Sequence, residues 1–257
     1  MTKLSSLLCI IFFLTFPTQA KVKESLRFAS GEFPPYLSND LKYNGLYAKI
    51  LNDIFSDTDF KIELDFFPWN RSLFLLKTGE YEVSPMWIQN KKRDEDFYFS
   101  VPITFNEKVL FHLKASGFHW DSYEDLKKYK IALTKNYTYG NEIDKLAEER
   151  SANLIIVPED RVKFKMLIEG RIQAFPMDLE AGYYLAKKYL SKKEFKQITH
   201  HKKPVLMEGM KLMFSKKMDE QKRKKAIKLV EQKMISLKKN GTIDKYFWKL
   251  RNGSFFQ

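Results

Sequence analysis

Short apolar runs alternate with amphipathic stretches along the chain, and the two periods separate cleanly. Leu26-Arg27-Phe28-Ala29 reads as a strand, followed by the turn-like Gly31-Glu32-Phe33-Pro34-Pro35-Tyr36. Leu46, Ile50, Leu51, Ile54 and Phe55 then recur at helical spacing, the buried face of a helix opening near Gly45. Lys61 to Phe67 alternates as a strand. Pro68-Trp69-Asn70-Arg71 opens a helix that runs through Leu73 and Leu76 to a stop at Gly79.

A second cycle begins near Val109-Leu110-Phe111. Asp121 to Lys128 reads as a short capped helix, Ile131-Ala132-Leu133 as a strand, and Asn136 to Gly140 as a loop entering a helix that lasts through Glu149. Leu154 to Val157 is a strand, and Val162, Met166 and Leu167 lie on a helix closed by Gly170. The pattern predicts further strands at Ile172–Phe175 and Met210–Phe214. A last long helix turns Ala226, Leu229, Val230 and Leu237 inward and stops at Gly241. No repeat of fixed period and no low-complexity linker interrupts this order. Strands alternating with helices predict an α/β architecture, and two α/β units fit the order better than one.

Length agrees, since 257 residues suit two units of about 100–150 residues each. Aromatic residues at 15% and hydrophobic residues at 44% exclude a disordered chain. A single cysteine excludes an internal disulfide framework. The charge is basic, with 45 Lys+Arg against 32 Asp+Glu and a formal +13. That balance raises nucleic acid or an anionic surface as a partner.

Residues 1–20 change the picture. They carry one base (Lys3), no acid, an apolar run from Leu7 to Phe16, and Pro17-Thr18-Gln19-Ala20 before the polar stretch that starts at Lys21. This is the form of a cleaved signal peptide, because the apolar core is shorter than the roughly 20 residues that span a bilayer. Cleavage after Ala20 removes Cys9, so the mature chain has no thiol chemistry. It is expected in the periplasm, as a soluble monomer. The basic charge is then spread over Lys-rich surface helices of an exported protein, and nucleic acid is not an expected partner.

In order along the chain, several segments carry a family likeness. They are Gly31 to Tyr36, Gly45-Leu46, Leu76-Lys77-Thr78-Gly79-Glu80-Tyr81-Glu82, and Lys92-Arg93 with Phe97-Tyr98-Phe99-Ser100-Val101-Pro102 downstream. Lys130-Ile131-Ala132, Glu169-Gly170-Arg171-Ile172, Asp178 and Leu237 to Lys245 complete the series. The ordered set resembles the bacterial periplasmic solute-binding proteins of family 3, the polar amino-acid-binding type. The resemblance implies a two-lobed, periplasmic-binding-protein-like fold of type II, with the lobes joined by two crossing strands and a ligand in the cleft between them. Lobe one takes residues 21–111 and 206–257; lobe two is the insertion 112–205.

The resemblance also implies site residues. Arg93, six residues before Phe99, corresponds to the arginine that clamps a ligand carboxylate; a guanidinium matches a carboxylate with two parallel hydrogen bonds. Asp178, shortly after Gly170-Arg171-Ile172-Gln173, corresponds to the acid that pairs with a ligand ammonium, and it also suits the N-cap of a helix. Tyr137 and Thr138 lie where the family uses a turn of hydroxyl residues at a helix N-terminus. Phe33, Tyr36, Trp69 and Trp87 stand at strand ends or loops, as an aromatic wall or as core. Arg71 begins a helix, where a cation is poorly placed for the helix dipole, and a cleft role would explain it. One departure stands out. Ser84-Pro85-Met86-Trp87-Ile88-Gln89-Asn90 replaces the Ser/Thr-rich stretch that usually precedes the arginine, and its register is uncertain by one residue.

Motifs for other chemistries are missing. There is no nucleotide-cradling glycine loop, no nucleophile elbow and no zinc-protease motif, and the four histidines lack metal-site spacing, so no cofactor or metal is expected. The leading expectation is therefore non-enzymatic capture of a small amino-acid-like or carboxylate- and amine-bearing solute for an ABC-type membrane permease. Two alternatives stay open. One is a ligand-sensing partner of a membrane signalling protein. The other is a dehydratase-like enzyme on the same scaffold, with Glu82, Glu180 and Glu208 as candidate acids.

Overall fold

The computed structural model describes residues 23–135, 137, 139–149 and 153–257. The expected signal peptide at 1–20 and the expected site residue Thr138 lie outside the described residues. The order of elements is β1 (Glu24–Ser30), α1 (Leu46–Phe55), β2 (Phe60–Phe66), α2 (Trp69–Thr78), β3 (Val83–Trp87), α3 (Lys91–Asp94), β4 (Phe97–Phe99) and β5 (Thr104–Leu113). Then come β6 (Ile131–Thr134), α4 (Asn141–Glu148), β7 (Leu154–Val157), α5 (Asp160–Ile168), β8 (Ala174–Asp178), α6 (Leu179–Tyr189), α7 (Lys192–Phe195), β9 (Ile198–His200) and β10 (Leu206–Ser215). Helices α8 (Glu220–Lys239) and α9 (Thr242–Asn252) end the chain. Among the described residues no helix is long and apolar enough to cross a membrane.

The strands follow the order β2-β1-β3-β10-β5-β8-β6-β7, with β4 on β10 and β9 on β5. Two of them belong to both halves. The first part of β10 pairs antiparallel with β5, from Leu206 opposite Lys108 to Met210 opposite Thr104; from Lys211 onward β10 pairs with β3 and β4 instead. Strand β5 behaves likewise, leaving β10 for β8 at Lys108 and adding β9 at Phe111. These are the two crossing strands, and the fold is the two-lobed α/β architecture expected from the sequence.

Each half buries its own core. In one, β1, α1 and α8 meet through Leu26, Phe28, Ile50, Ile54, Ala226 and Val230. In the other, Val109 and Phe111 of β5 pack with Phe164 and Leu167 of α5 and Phe175 of β8. The periodic apolar positions of α1 are all buried, as amphipathic spacing requires. Trp69 to Thr78 closes on Gly79 in the left-handed region at φ 81, the expected glycine stop.

Several boundaries differ from the sequence expectation. The strand expected at 172–175 begins at Ala174 and runs to Asp178, the span over which it pairs with β5 from His112 to Lys108. The stretch Tyr123–Lys128 is a 3₁₀ helix, held by a capping box between Ser122 and Asp125. Strand β10 starts earlier than Met210, at Leu206. Gly241 does end α8, yet at φ 74 it turns the chain directly into α9, which the pattern did not reveal.

Strand β3 carries an irregularity that matters for the site. Ser84 faces Met213 and Trp87 faces Lys211, so Pro85 and Met86 together oppose Leu212. Met86 takes the bend, at φ 61. Two residues against one is a β-bulge, which re-aims the side chains that follow it. The bulge falls within the stretch before Arg93 whose register the sequence left open by one residue.

Candidate functional site

The site is assembled on a loop that the first helix holds in place. After β1 the chain turns through Phe33, which bridges to Leu37, and the carbonyls of Pro35 and Tyr36 accept from the N–H groups of Leu46 and Tyr47. These are first-turn donors of α1 that no helical carbonyl can reach, so the loop caps the helix and is fixed by it. Gly45 makes this possible. A Cβ there would lie 2.4 Å from the Tyr36 carbonyl oxygen, and its φ is 98. The Tyr36 ring stacks on Phe33 at 5.6 Å and is buried.

From the other lobe, Asp178 ends β8 and caps α6, its Oδ1 accepting from Ala181 N–H at 2.9 Å. The Tyr36 hydroxyl donates to the same carboxylate, at 3.0 Å to Oδ1 and 3.2 Å to Oδ2. The helix-cap role is thus realised, together with a contact between lobes. Burial pushes the Asp178 carboxyl up to about 7 despite these donors, and burial beside Asp178 also holds the Tyr36 phenol well above its ordinary range.

Around Asp178 lies a cavity of about 240 Å³ with Phe33, Asn106, Lys108, Tyr137, Tyr139, Asp160 and Lys163 in its wall. Both lobes and the crossing strand β5 contribute. The volume is below the 300–1,000 Å³ usual for drug-sized ligands and suits a solute of single-amino-acid size. Burial pulls the ammonium groups of Lys108 and Lys163 below their ordinary value, opposed by Glu208 and Asp160 respectively. Burial likewise pushes the Tyr137 and Tyr139 phenols up to about 12, with the Asp160 carboxylate adding to the shift.

The lobe-one aromatics form a row leading away from Tyr36. Trp69 Nε1 donates to the Glu32 carbonyl at 3.2 Å, and the Trp69 ring meets Trp87 edge-on at 5.5 Å. Trp87 is pinned in turn, its Nε1 donating to Ser84 Oγ at 2.7 Å, while Ser84 donates to the Ala29 carbonyl. The Arg93 guanidinium lies over the Trp87 ring at 4.8 Å and donates from Nη1 to the Ile88 carbonyl at 2.6 Å. Burial lowers its affinity for the proton, and the Glu208 carboxylate works against that.

The structure therefore brings Phe33, Asp178 and Tyr137 to one cavity, holds Tyr36 behind Asp178 and outside the wall, and links Trp69, Trp87 and Arg93 to the cavity through Glu32. Arg93 does not line the cavity itself. Arg71 stands apart from both groups: it is exposed, with its guanidinium over Phe74 on the same helix at 5.2 Å. Sequence reasoning missed Asn106, Lys108, Tyr139, Asp160 and Lys163. Two signals were available. Asn106 and Lys108 are polar alternate positions in a strand that continues as Val109-Leu110-Phe111, and Lys163 lies one turn before Leu167, on the buried face of its helix.

The candidate acids fall elsewhere. Glu82 pairs with Lys222 at 2.6 Å, and Glu180 with Arg251 at 2.6 Å. Glu208 acts on Arg93 and Lys108 from β10.

The profile of the bacterial extracellular solute-binding proteins, family 3, matches residues 27–250. The chain belongs to that family. A search of curated protein sequences finds no match to it. Among solved structures, the L-cystine solute receptor of Neisseria gonorrhoeae in its unliganded open conformation is 19% identical, with TM-score 0.68 over 92% of this chain and 95% of that one. The second substrate-binding domain of GlnP from Lactococcus lactis, also open, is 18% identical, with TM-score 0.67 over 87% and 93%. A histidine kinase sensor domain with similarity to periplasmic binding proteins is 16% identical, with TM-score 0.63 over 90% and 96%. At these identities the likeness is one of fold.

Proposed function

We propose that this family 3 solute-binding protein captures a small solute carrying an ammonium and a carboxylate in the periplasm and hands it to an ABC-type importer. The observation that carries the reading is a cavity walled by Phe33 from one lobe and Asp178 from the other, with the lobes joined beside it by the Tyr36–Asp178 hydrogen bond. Asp178 receives the ammonium, because an incoming cation restores the ionised carboxylate that burial disfavours. Phe33 and Tyr137 cover the apolar part of the solute, and Arg93, held over Trp87 beyond the cavity wall, attracts its carboxylate end from the lobe-one side. Closure about β5 and β10 traps the solute, and opening on the permease releases it.

A protein without catalysis is favoured by the positions of Glu82 and Glu180, each tied to a cation outside the cavity wall. Export by a cleaved signal peptide and a monomeric state complete the reading. A second reading, occupancy sensing for a membrane kinase, is favoured by the sensor domain that shares the fold. Genes beside this one separate the two, permease and ATPase supporting uptake and a sensor kinase supporting signalling.

The test is mass spectrometry of ligand released from protein purified without denaturation, followed by thermal-shift screening of amino acids, opines, polyamines and small acids. At least one solute should raise the melting temperature, and Asp178→Ala and Arg93→Ala should each reduce that rise. Absence of any binding solute, with both variants indistinguishable from wild type, overturns capture.

A further inference from the structure

The carboxylates of the cavity wall already have donors, whereas two other buried polar atoms there, a lysine Nζ and an amide oxygen, have no hydrogen-bond partner among the described residues. Asp178 holds Tyr36 and Ala181 N–H. Asp160 holds the Thr134 hydroxyl at 2.6 Å and the Tyr137 hydroxyl at 3.4 Å. Lys163, fully buried, lies 2.9 Å from Asp160 as an ion pair, yet its Nζ makes no hydrogen bond of acceptable geometry among the described residues. Aromatic rings surround it instead, Phe175 at 5.2 Å, Tyr139 at 5.8 Å and Tyr137 at 6.0 Å. Asn106 Oδ1, also buried and in the same cavity wall, has no hydrogen-bond partner among the described residues.

An ammonium carries three donors, and one Asp160 oxygen at 2.9 Å balances the charge of Lys163 but cannot satisfy all three, while burying unused donors costs far more than burying apolar atoms. Ring faces attract the charge without accepting in the manner of an oxygen. The unmatched pair specifies what fits: an oxygen acceptor, best a charged one, against Lys163, and an N–H donor against Asn106.

We propose that Lys163 and Asn106 form a second polar subsite, which takes a distal oxyanion of the solute on Lys163 while Asn106 accepts from its ammonium. The assignment rests on the capture reading above and narrows it. The solute then bears one carboxylate toward Arg93, an ammonium between Asp178 and Asn106, and a second oxyanion toward α5. A carboxylate, sulfonate or phosphonate tail shares this chemistry. Lys108, a second cation in the wall, favours the same sign of charge.

Calorimetry with L-glutamate, L-aspartate, L-cysteate and L-2-amino-4-phosphonobutyrate, set against L-glutamine, L-asparagine and L-lysine, tests the subsite. Wild type should bind at least one acid-tailed solute at least tenfold more tightly than its amide counterpart and than L-lysine. The relative affinities of the carboxylate, sulfonate and phosphonate tails identify the oxyanion. Lys163→Met should collapse the acid-over-amide ratio toward one, and Asn106→Leu, which adds no charge defect, should weaken acid and amide alike by about tenfold. Loss of Lys163 as a merely structural partner of Asp160 would lower the melting temperature without altering the ratio. That outcome overturns the proposal, as does tighter binding of an amide or of L-lysine by wild type, with capture left standing. If nothing in the panel binds and no small molecule is released from the native protein, capture fails and the subsite with it.

Discussion

The Tyr36 hydroxyl reaches across the cleft to both oxygens of Asp178, so one phenol links the loop that caps α1 to the residue that caps α6. Replacing Tyr36 by Phe removes that donor while keeping the stack on Phe33. The expected cost is about 1–3 kcal/mol, the range for a hydrogen bond to a charged or buried acceptor. Urea unfolding measures it. Small-angle scattering of the unliganded variant should also show a larger radius of gyration; an unchanged radius would mean the lobes are held together elsewhere.

The pH dependence has a definite sign. Asp178 titrates at about 7 in the folded state, against an ordinary value of 3.8. Below 3.8 the carboxyl is protonated in folded and unfolded chains alike. Between 3.8 and about 7 the folded protein keeps a proton that the unfolded chain has released. The contribution to stability is therefore full at low pH, falls as pH rises through that window, and is level above it. At about 1.4 kcal/mol per unit, its size is about 4 kcal/mol. Asp178→Asn, which imitates the protonated form, should lack this decline and gain on wild type between pH 5 and pH 8 in denaturation midpoint. Parallel curves for the two proteins would refute the assignment.

Gly31 lies against the indole of Trp69, and a Cβ added there would stand 2.3 Å from ring carbons. Something must move, and the ring belongs to the aromatic row that leads from Glu32 to Arg93. Gly31→Ala should cost about 1–3 kcal/mol, as overpacking does, shift tryptophan fluorescence, and weaken solute binding. Unaltered fluorescence would show that the backbone yields in place of the ring.

Helix α9 touches α6 through Arg251, whose Nη2 and Nε both lie 2.6 Å from Glu180 Oε1. Glu180 is 6% exposed and Arg251 59%, so the pair is half in water and is worth less than a fully buried one. Arg251→Met should destabilise by about 1–2 kcal/mol, since it leaves a buried carboxylate alone. Adding Glu180→Met should restore most of that loss. A double-mutant cycle with no coupling would discount the bridge.

The fold was legible because its signals are local. Gly45 opens α1 and Gly79 closes α2, and Asp178 announces a cap; each meaning is set by backbone geometry within one turn. The places of Trp69 at the start of α2 and Trp87 at the end of β3 are local in the same way. Lys163 was not, because among 45 basic residues a single buried lysine differs only in its phase on α5. Asn106 was obscured by the strand it sits on, which reads as mostly polar up to Lys108 and mostly apolar from Val109, although β5 is continuous through both. The bulge at Pro85 and Met86 depends on what β10 does opposite, more than a hundred residues later. No local pattern contains that information.

The return of β10 has a consequence for how the chain is made. Strands β1, β2 and β3 are complete early, but β3 gains a neighbour on its second edge only when residues 211–214 arrive and pair with it. The inserted strands β6, β7 and β8 meanwhile find one another within a contiguous stretch. A growing chain thus holds an unclosed sheet edge through most of its length, a template for wrong partners. The last strand to arrive closes that edge and couples the halves in the same step. A chain truncated before Lys211 would lose both at once.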